Sequence, residues 1–104
     1  MFLHVTDAQY LVEYKVKVVF SDGRKGIADF ENALSGKVFE PLKDLKLFSQ
    51  LIVDRELDTI VWPNGVDFAP EYIYFLAFQD IPTLQAQFRK WGYIVESNTQ
   101  LSRA

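Results

Sequence analysis

The stretch TIVWPNGVDFAPEYIY, residues 59–74, decides the fold, because it joins a strand, a corner and a helix start in one short run. Trp62 ends the strand, and Pro63 suits the first corner position because its ring fixes φ near about −65°. Asn64-Gly65 follows, with glycine where a positive φ is required. Pro70 then predicts the first turn of a helix, in which proline is tolerated. The stretch therefore predicts a strand that turns and becomes a helix.

The same corner occurs earlier in the chain, as Phe20-Ser21-Asp22-Gly23. Apolar and polar residues alternate from Tyr10 to Phe20, which predicts a strand with one buried face. A second strand over Lys25–Phe30 is predicted to run antiparallel to it, and a short strand over Phe2–Thr6 to precede both. An Asp-Phe pair follows each hairpin, and this repetition indicates architecture because chemistry seldom needs the same hairpin twice.

The remaining segments predict connectors and further hairpins. Asn32–Gly36 resembles one helical turn stopped by glycine, and Pro41 can begin a second short helix. Gln50–Asp54 and Thr59–Trp62 predict another strand pair. The predicted fold class is α+β, a small and mainly antiparallel sheet of hairpins with short connecting helices and C-terminal helices packed on it.

Two helices are predicted after the second corner. The first, from Pro70, is apolar on all sides over residues 72–78, so it must be buried or shared with a partner. Asp80 can cap the second, and Gly92 can stop it. Residues 93–95 predict a short strand or docking segment, and residues 96–104 a polar tail.

Composition predicts one soluble domain and excludes several classes of chemistry. The chain has 104 residues, of which 49% are hydrophobic and 24% charged, and it has no cysteine. Disulfides, thiol nucleophiles and thiolate metal sites are therefore excluded. Nine Phe, five Tyr and two Trp are more rings than a core of this size readily hides, which predicts some at an interface.

Charge and hydropathy predict the partners and the location. A formal net charge of −3 and a pI near 5.0 provide no basic surface for phosphate, so no direct nucleic-acid binding is expected. The N-terminus lacks the positive region of a signal peptide, and the apolar run over residues 72–78 is shorter than the roughly 20 residues that span a bilayer. A cytoplasmic protein without membrane contact is predicted.

The sequence shows no residue pattern typical of a catalytic or metal site. His4 is the one histidine and has no recognisable nucleophile beside it, so it is predicted to be a structural residue. The acidic corner of Asp54, Glu56 and Asp58 matches no calcium loop and is predicted to be solvated. The glycines are scattered singly, without a phosphate-binding pattern. No catalytic residue, no metal site and no cofactor is predicted.

The best polar candidates lie around the second corner. Asp67, Asn64 and Glu71 come close together where the hairpin meets the helix. In one interpretation Asp67 accepts hydrogen bonds from the free N–H groups at the helix start. In the other, these three residues form a small polar binding pocket whose rim is Trp62 and Tyr72.

The predicted interface residues are large side chains on the two C-terminal helices. An amphipathic helix commonly closes the core or forms a groove or dimer contact, and both interpretations stay open for the last helix. The predicted interface residues are Tyr74, Phe78, Leu84, Phe88 and Trp91.

Over roughly residues 5–76 the chain resembles the bacterial domain-of-unknown-function family DUF2442. The matching elements are YKVKVVF with Asp22-Gly23, Gly26 through Phe30, Gly36 through Leu42, Phe48, Val53-Asp54 and Thr59 through Glu71. Asp58 departs from the family, which often has glycine there. Residues 1–78 are therefore interpreted as the DUF2442-like α+β domain, and residues 79–104 as a C-terminal helix and polar tail packed on it.

The resemblance implies a small α+β domain with no established catalytic residues. Some members are joined to a helix-turn-helix domain, and members resemble partners of another small bacterial protein in pairs reminiscent of toxin–antitoxin modules. The predicted function is a non-enzymatic interaction or regulatory module that forms a homodimer or homo-oligomer or binds a small bacterial partner protein. The alternative is a small-ligand-binding protein or enzyme with a polar pocket around Asp67 and Glu71.

Overall fold

The computed structural model describes residues 2–94, and it begins with a three-stranded antiparallel sheet. The strands are β1 (Val5–Val12), β2 (Lys15–Phe20) and β3 (Lys25–Asp29), in the spatial order β1-β2-β3. Alternate side chains of β2 are buried, as the sequence pattern predicts for a sheet with one face on the core. The α+β prediction is confirmed.

The predicted strand over residues 10–20 is in fact two strands. Glu13 and Tyr14 form a two-residue corner between the pair Val12 and Lys15, and Glu13 has a φ of +52°. The alternation passes through this corner without a glycine, proline or asparagine to mark it. The first strand therefore runs over Val5–Val12 and replaces the short strand predicted over Phe2–Thr6.

The corner between β2 and β3 has the predicted geometry. Gly23 has a φ of +90°, and its N–H donates to the Phe20 carbonyl at 2.9 Å. The Phe20 N–H donates to the Arg24 carbonyl at 3.0 Å, which closes the hairpin. Asp22 supports the corner because its Oδ1 accepts from the Arg24 N–H at 2.9 Å.

Short helical turns then carry the chain across the end of the sheet. They are 3-10 turns over Glu31–Ala33 and Glu40–Lys43, followed by helix α1 over Leu45–Phe48. Asp44 caps α1, because its Oδ1 accepts from the Lys46 N–H at 3.0 Å. Phe48 is fully buried, so these connectors close one end of the core.

A second, two-stranded sheet packs beside β1. Its strands are β4 (Ile52–Asp54) and β5 (Thr59–Val61), which confirms the predicted pair. The Val5 N–H donates to the Asp58 carbonyl at 2.9 Å, and Arg55 Nη1 donates to the Thr6 carbonyl at 3.0 Å. These bonds fix the acidic corner against the start of β1.

The second predicted corner repeats the first. Gly65 has a φ of +87°, its N–H donates to the Trp62 carbonyl, and the Trp62 N–H donates to the Val66 carbonyl, both at 2.9 Å. The chain then returns beside β5 through a bridge between Val61 and Asp67. Helix α2 begins three residues after this bridge, at Pro70.

Helix α2 (Pro70–Phe78) covers the sheet, and α3 (Gln85–Trp91) packs against α2 through Phe88. Helix α2 packs on β3, where a Cβ atom on Gly26 would lie 2.6 Å from the Phe78 ring. The predicted Asp80 cap is wrong, since a 3-10 turn over Pro82–Leu84 leads into α3 and Leu84 occupies the N-cap position. The predicted stop at Gly92 is confirmed by its φ of +90°.

The core is largely aromatic. Buried rings from β2, from the helices and from the loops after β3 and β5 make edge and tilted contacts with one another. Phe2 is the one aromatic ring among residues 2–94 that is exposed. The number of aromatic residues predicted that some lie at an interface, but the fold buries most of them fully or in part. The buried aromatic residues are Phe20, Phe30, Phe48, Trp62, Phe68, Tyr74, Phe78 and Phe88.

The chain end and the helix lengths complete the description. Tyr93 and Ile94 form a bend, and the rest of the segment predicted over residues 93–95, like the tail 96–104, lies outside the described residues. None of the helices between residues 2 and 94 has the length and apolar character needed to cross a bilayer.

Candidate functional site

The second corner places Asp67 at the surface beside the start of α2. Its neighbour Phe68 is buried, whereas Asp67 itself is exposed and held on the strand by the bridge to Val61. Helix α2 begins at Pro70 with Ala69 as N-cap, and no side chain caps it. The predicted capping role of Asp67 is therefore wrong.

Backbone groups satisfy part of the helix start instead. The Ala69 carbonyl accepts from the N–H groups of Tyr72 at 3.0 Å and Ile73 at 3.2 Å, and Pro70 has no N–H to satisfy. Asp67 consequently keeps its carboxylate free. Within residues 2–94 it forms no ion pair and no side-chain hydrogen bond.

Asp67 lies in the wall of an open cleft of about 370 Å³, which we call the Asp67 cleft. Its wall is mostly apolar, and the connector after β3, the start of α2 and the segment after α3 all contribute to it. The lining residues are Ala33, Ser35, Phe39, Asp67, Phe68, Ala69, Tyr72 and Tyr93.

The aromatic residues of the cleft form a ladder. The rings of Phe39 and Phe68 stack with centroids 4.6 Å apart and planes 15° apart, and Phe68 and Tyr72 stack at 5.7 Å and 20°. Tyr93 meets Tyr72 edge to face at 5.4 Å. Phe39, Tyr72 and Tyr93 are half-buried, so the ladder presents ring surface outside the core.

Both tyrosines of the cleft stay protonated at neutral pH. Burial raises the pKa of Tyr72, and burial together with the nearby carboxylate of Glu71 raises the pKa of Tyr93. Each hydroxyl can therefore donate one hydrogen bond and accept others. Glu71 therefore acts on the Tyr93 hydroxyl from outside the set of residues that line the cleft.

The structure separates the predicted binding residues. Asp67 and Tyr72 share the cleft wall, and Glu71 lies half-buried beside them. Trp62 is in the core and donates its Nε1 hydrogen to the Phe48 carbonyl at 2.8 Å. Asn64 uses its Oδ1 inside the corner, where it accepts from the Val66 N–H at 3.2 Å.

Several cleft residues were not among the sequence-predicted site residues. Ala33, Ser35 and Phe39 come from the connector, and Tyr93 follows α3, so they are distant from Asp67 along the chain. Only the packing of the connector and both helices around Phe68 brings them together. The chain carries no local spacing signal for such a set.

The predicted interface residues also divide into two groups. Tyr74, Phe78 and Phe88 are buried in the core, at 4%, 5% and 0% exposure. Leu84 and Trp91 are half-buried and line a second cleft of about 430 Å³. The other residues lining the second cleft are Leu3, Asp22, Tyr74, Thr83, Ala86 and Gln87.

The remaining polar candidates are engaged in local structure. His4 Nδ1 lies 3.2 Å from the Phe2 carbonyl oxygen. Asp54 Oδ1 accepts from the N–H groups of Glu56 at 2.8 Å and Leu57 at 3.1 Å, which shapes the acidic corner. Across residues 2–94, no three His, Asp or Glu side chains are grouped so that they could hold a metal ion.

Comparison with known proteins adds a family and a fold. A family model described as "Protein of unknown function (DUF2442)" matches residues 5–79. A crystal structure of a protein from Nitrosomonas europaea ATCC 19718, described as a "putative DNA binding protein", matches with a TM-score of 0.66 and 19% identity. The match covers 84% of this chain and 53% of that protein, so this chain spans about half its length. No curated protein matches the chain.

These findings confirm the resemblance predicted from the sequence and correct one expectation. The absence of nucleic-acid binding, expected from net charge, is contradicted because a protein of the same fold is described as a "putative DNA binding protein". Net charge alone does not decide nucleic-acid binding, because it averages over the whole surface, whereas phosphate meets only one face. The predicted homo-oligomer and small bacterial partner stay predictions.

Proposed function

The chain belongs to the DUF2442 family, and from that premise we propose that it is a non-enzymatic interaction module that holds a segment of another protein in the Asp67 cleft. The observation that carries the proposal is the cleft itself, a ladder of partly open rings beside a carboxylate that nothing between residues 2 and 94 engages.

The chemistry of the cleft favours binding over catalysis. Acid–base catalysis needs a base held by a positioned partner, and Asp67 has none among residues 2–94. Half-exposed aromatic rings with polar groups at the edge are instead typical of recognition surfaces. A bacterial regulatory role, in which occupancy of the cleft reports the presence of a partner, is compatible with such a module.

Site-specific crosslinking tests the proposal. A photoreactive phenylalanine analogue at Ser35, in the cleft wall, should crosslink in cells of the source organism to one defined segment of another polypeptide. A synthetic copy of that segment should compete with the crosslink, and Asp67→Lys should abolish it. The same analogue at Ile27, on the far face of β3, is the matched control and should not capture that segment.

Equal capture of the segment from Ser35 and Ile27 would contradict the proposal, because the contact would then not belong to the cleft. The absence of any crosslinked segment at Ser35 would contradict it as well. Retention of the crosslink in the Asp67→Lys variant would show that the free carboxylate does not contribute.

A second candidate function is nucleic-acid binding through the outer face of the three-stranded sheet. The Nitrosomonas europaea protein of the same fold is described as a "putative DNA binding protein", which favours this candidate. The basic side chains of Lys15, Lys17 and Lys25 on this face favour it as well. Lys15 pairs with Glu13 at 3.3 Å and Asp29 at 3.7 Å, whereas Lys17 and Lys25 form no ion pair within residues 2–94. These two side chains are available to phosphates.

A mobility-shift titration with duplex DNA at low salt separates the two candidates. If the sheet face binds DNA, Lys17→Glu combined with Lys25→Glu should weaken binding and Asp67→Asn should leave it unchanged. The affinity should also fall steeply with added salt, since phosphate contacts release counterions. If the double variant binds DNA with the affinity of the natural chain, this face is not the binding surface.

A further inference from the structure

We propose, as an extension of the proposed function, that the Asp67 cleft receives the guanidinium group of an arginine side chain in the partner segment. Asp67 is the only charged residue that lines the cleft within residues 2–94, and it is exposed and unpaired there. Glu71 adds negative charge near Tyr93. The formal net charge of −3 has the same sign, so a cationic group complements the cleft.

The aromatic ladder adds a second reason for a cation. The faces of aromatic rings carry negative potential and attract a cation placed within about 6 Å of the ring centroid. Phe39, Tyr72 and Tyr93 line the cleft and are only half-buried, so ring surface and the Asp67 carboxylate meet in one wall. A cation in the cleft would contact both.

Arginine fits this wall better than lysine. A guanidinium group is planar and weakly hydrated, and it can stack on a ring while it donates two parallel hydrogen bonds to a carboxylate. Both oxygens of Asp67 are without a side-chain hydrogen bond in the described part of the chain, as a two-pronged contact requires. The ammonium group of lysine is strongly hydrated and lacks the planar fork.

The size of the cleft indicates a segment instead of a free small cation. Its volume of about 370 Å³ falls in the range of about 300–1,000 Å³ that holds drug-sized ligands. One guanidinium group would leave much of this space open. Residues that flank the arginine in the partner segment would fill the remainder against Ala33 and Ala69, which also line the wall.

Titration with capped tripeptides, followed by NMR of the backbone amides, tests the inference. The probes are Ala-Arg-Ala, the same tripeptide with neutral citrulline, and methylguanidinium. The arginine peptide should shift the amide signals of Ser35, Asp67 and Ala69 at millimolar concentrations. The citrulline peptide should bind about tenfold or more weakly, since a charge-assisted contact is lost.

Matched variants locate the contact. Asp67→Asn and Tyr72→Leu should each weaken binding of the arginine peptide about tenfold. Asp80→Asn removes one exposed carboxylate outside the cleft wall and should leave binding unchanged. Circular dichroism of each variant checks that it is folded.

The outcomes separate this inference from the proposed function. Equal binding of the arginine and citrulline peptides, or no effect of Asp67→Asn, would overturn the arginine assignment while a crosslinked segment at Ser35 would still support the interaction module. Methylguanidinium binding as tightly as the peptide would overturn the assignment to a peptide segment. The absence of binding by every probe would overturn the inference as a whole.

Discussion

Glu13 and Asp58 occupy the left-handed backbone region, with φ of +52° and +58°. A residue with a Cβ atom pays about 1–2 kcal/mol for this conformation, and glycine avoids the clash. From the resemblance to DUF2442, glycine is expected at the position where this chain has Asp58. The positive φ gives the physical reason, because that corner position requires the conformation that glycine adopts most easily.

Replacing Asp58 by glycine should therefore stabilise the protein. We expect Asp58→Gly to raise the free energy of unfolding by about 0.5–1 kcal/mol, since relief of the backbone clash exceeds the added flexibility of the unfolded chain. Urea unfolding followed by circular dichroism measures the change. Glu56→Gly, in the same acidic corner but without a positive φ, is the control and should destabilise. Similar losses in both variants would contradict the explanation.

Gly26 is required for a different reason, the close approach of α2 to β3. A Cβ atom there would lie 2.6 Å from the Phe78 ring, which itself packs on Phe20 at 5.7 Å and Tyr74 at 4.8 Å between centroids. We expect Gly26→Ala to lower the free energy of unfolding by about 1–3 kcal/mol, because the ring has little room to move.

A double-mutant cycle checks that the Phe78 ring is the cause. Phe78→Leu shortens the side chain opposite Gly26, so Gly26→Ala should cost clearly less in the Phe78→Leu background than in the natural chain. Urea unfolding of the four proteins provides the coupling energy. Strict additivity would show that the alanine acts on something other than the ring.

At the scale of elements, one hydrogen bond ties α2 to the β2–β3 corner. The Tyr74 hydroxyl donates to Asp22 Oδ2 at 2.7 Å. Burial, followed by this bond, raises the pKa of Tyr74 from 10.0 to about 12. The unfolded chain therefore loses this proton first, and the contribution to stability is complete below pH 10 and lost as the pH rises toward 12.

We expect Tyr74→Phe to cost about 1 kcal/mol of unfolding free energy at pH 7, because the hydrogen bond to Asp22 is lost. The variant should also lose less stability than the natural chain as the pH rises from 10 to 12. Urea unfolding at a series of alkaline pH values measures both effects.

Tyr10→Phe is the matched control, because Tyr10 is half-buried and its hydroxyl forms no hydrogen bond within residues 2–94. It should change the free energy of unfolding at pH 7 by less than about 0.5 kcal/mol. If Tyr74→Phe follows the natural chain between pH 10 and 12, the raised pKa of Tyr74 does not contribute to the alkaline loss of stability.

The sequence could predict those elements whose signals are local. Gly23 and Gly65 mark their corners because few other residues adopt their φ, and Pro70 marks the first turn of α2. The corner at Glu13 could not be predicted, since a glutamate gives no turn signal and the alternation continues through it. The Asp67 and Asp80 caps failed because an acid near a helix start does not fix which residue becomes the N-cap.

At the scale of the whole molecule, α3 belongs to the core even though the family match ends at residue 79. Phe88 is fully buried, and its ring meets Phe75 at 5.2 Å and Tyr74 at 6.3 Å between centroids. This packing joins α3 to α2, and the interpretation of residues 79–104 as part of the same domain stays a prediction.

We expect Phe88→Ala to lower the free energy of unfolding by about 3–5 kcal/mol, because it leaves a cavity between α2 and α3. Lys90→Ala, on the exposed side of α3, should change it by less than about 0.5 kcal/mol. Urea unfolding compares them. A small effect of Phe88→Ala would mean that α3 is not part of the cooperative unit.

The Asp67 cleft shows what whole-molecule packing adds to sequence. Asp67 and Tyr72 could be singled out because they flank one corner, but Phe39 and Tyr93 meet them only through tertiary structure. Trp62 also flanks this corner, directly after β5, but its ring is buried in the core.

The burial of Trp62 beside Phe48 and the half-buried position of Trp91 on α3 give the protein two indoles in different surroundings. Their emission spectra should differ, with Trp62 at shorter wavelength because water is excluded from its ring. A single-tryptophan version that retains Trp91 would report detachment of the last helix, and one that retains Trp62 would report collapse or melting of the interior. The chain thus carries two optical probes, one on the last helix and one in the interior.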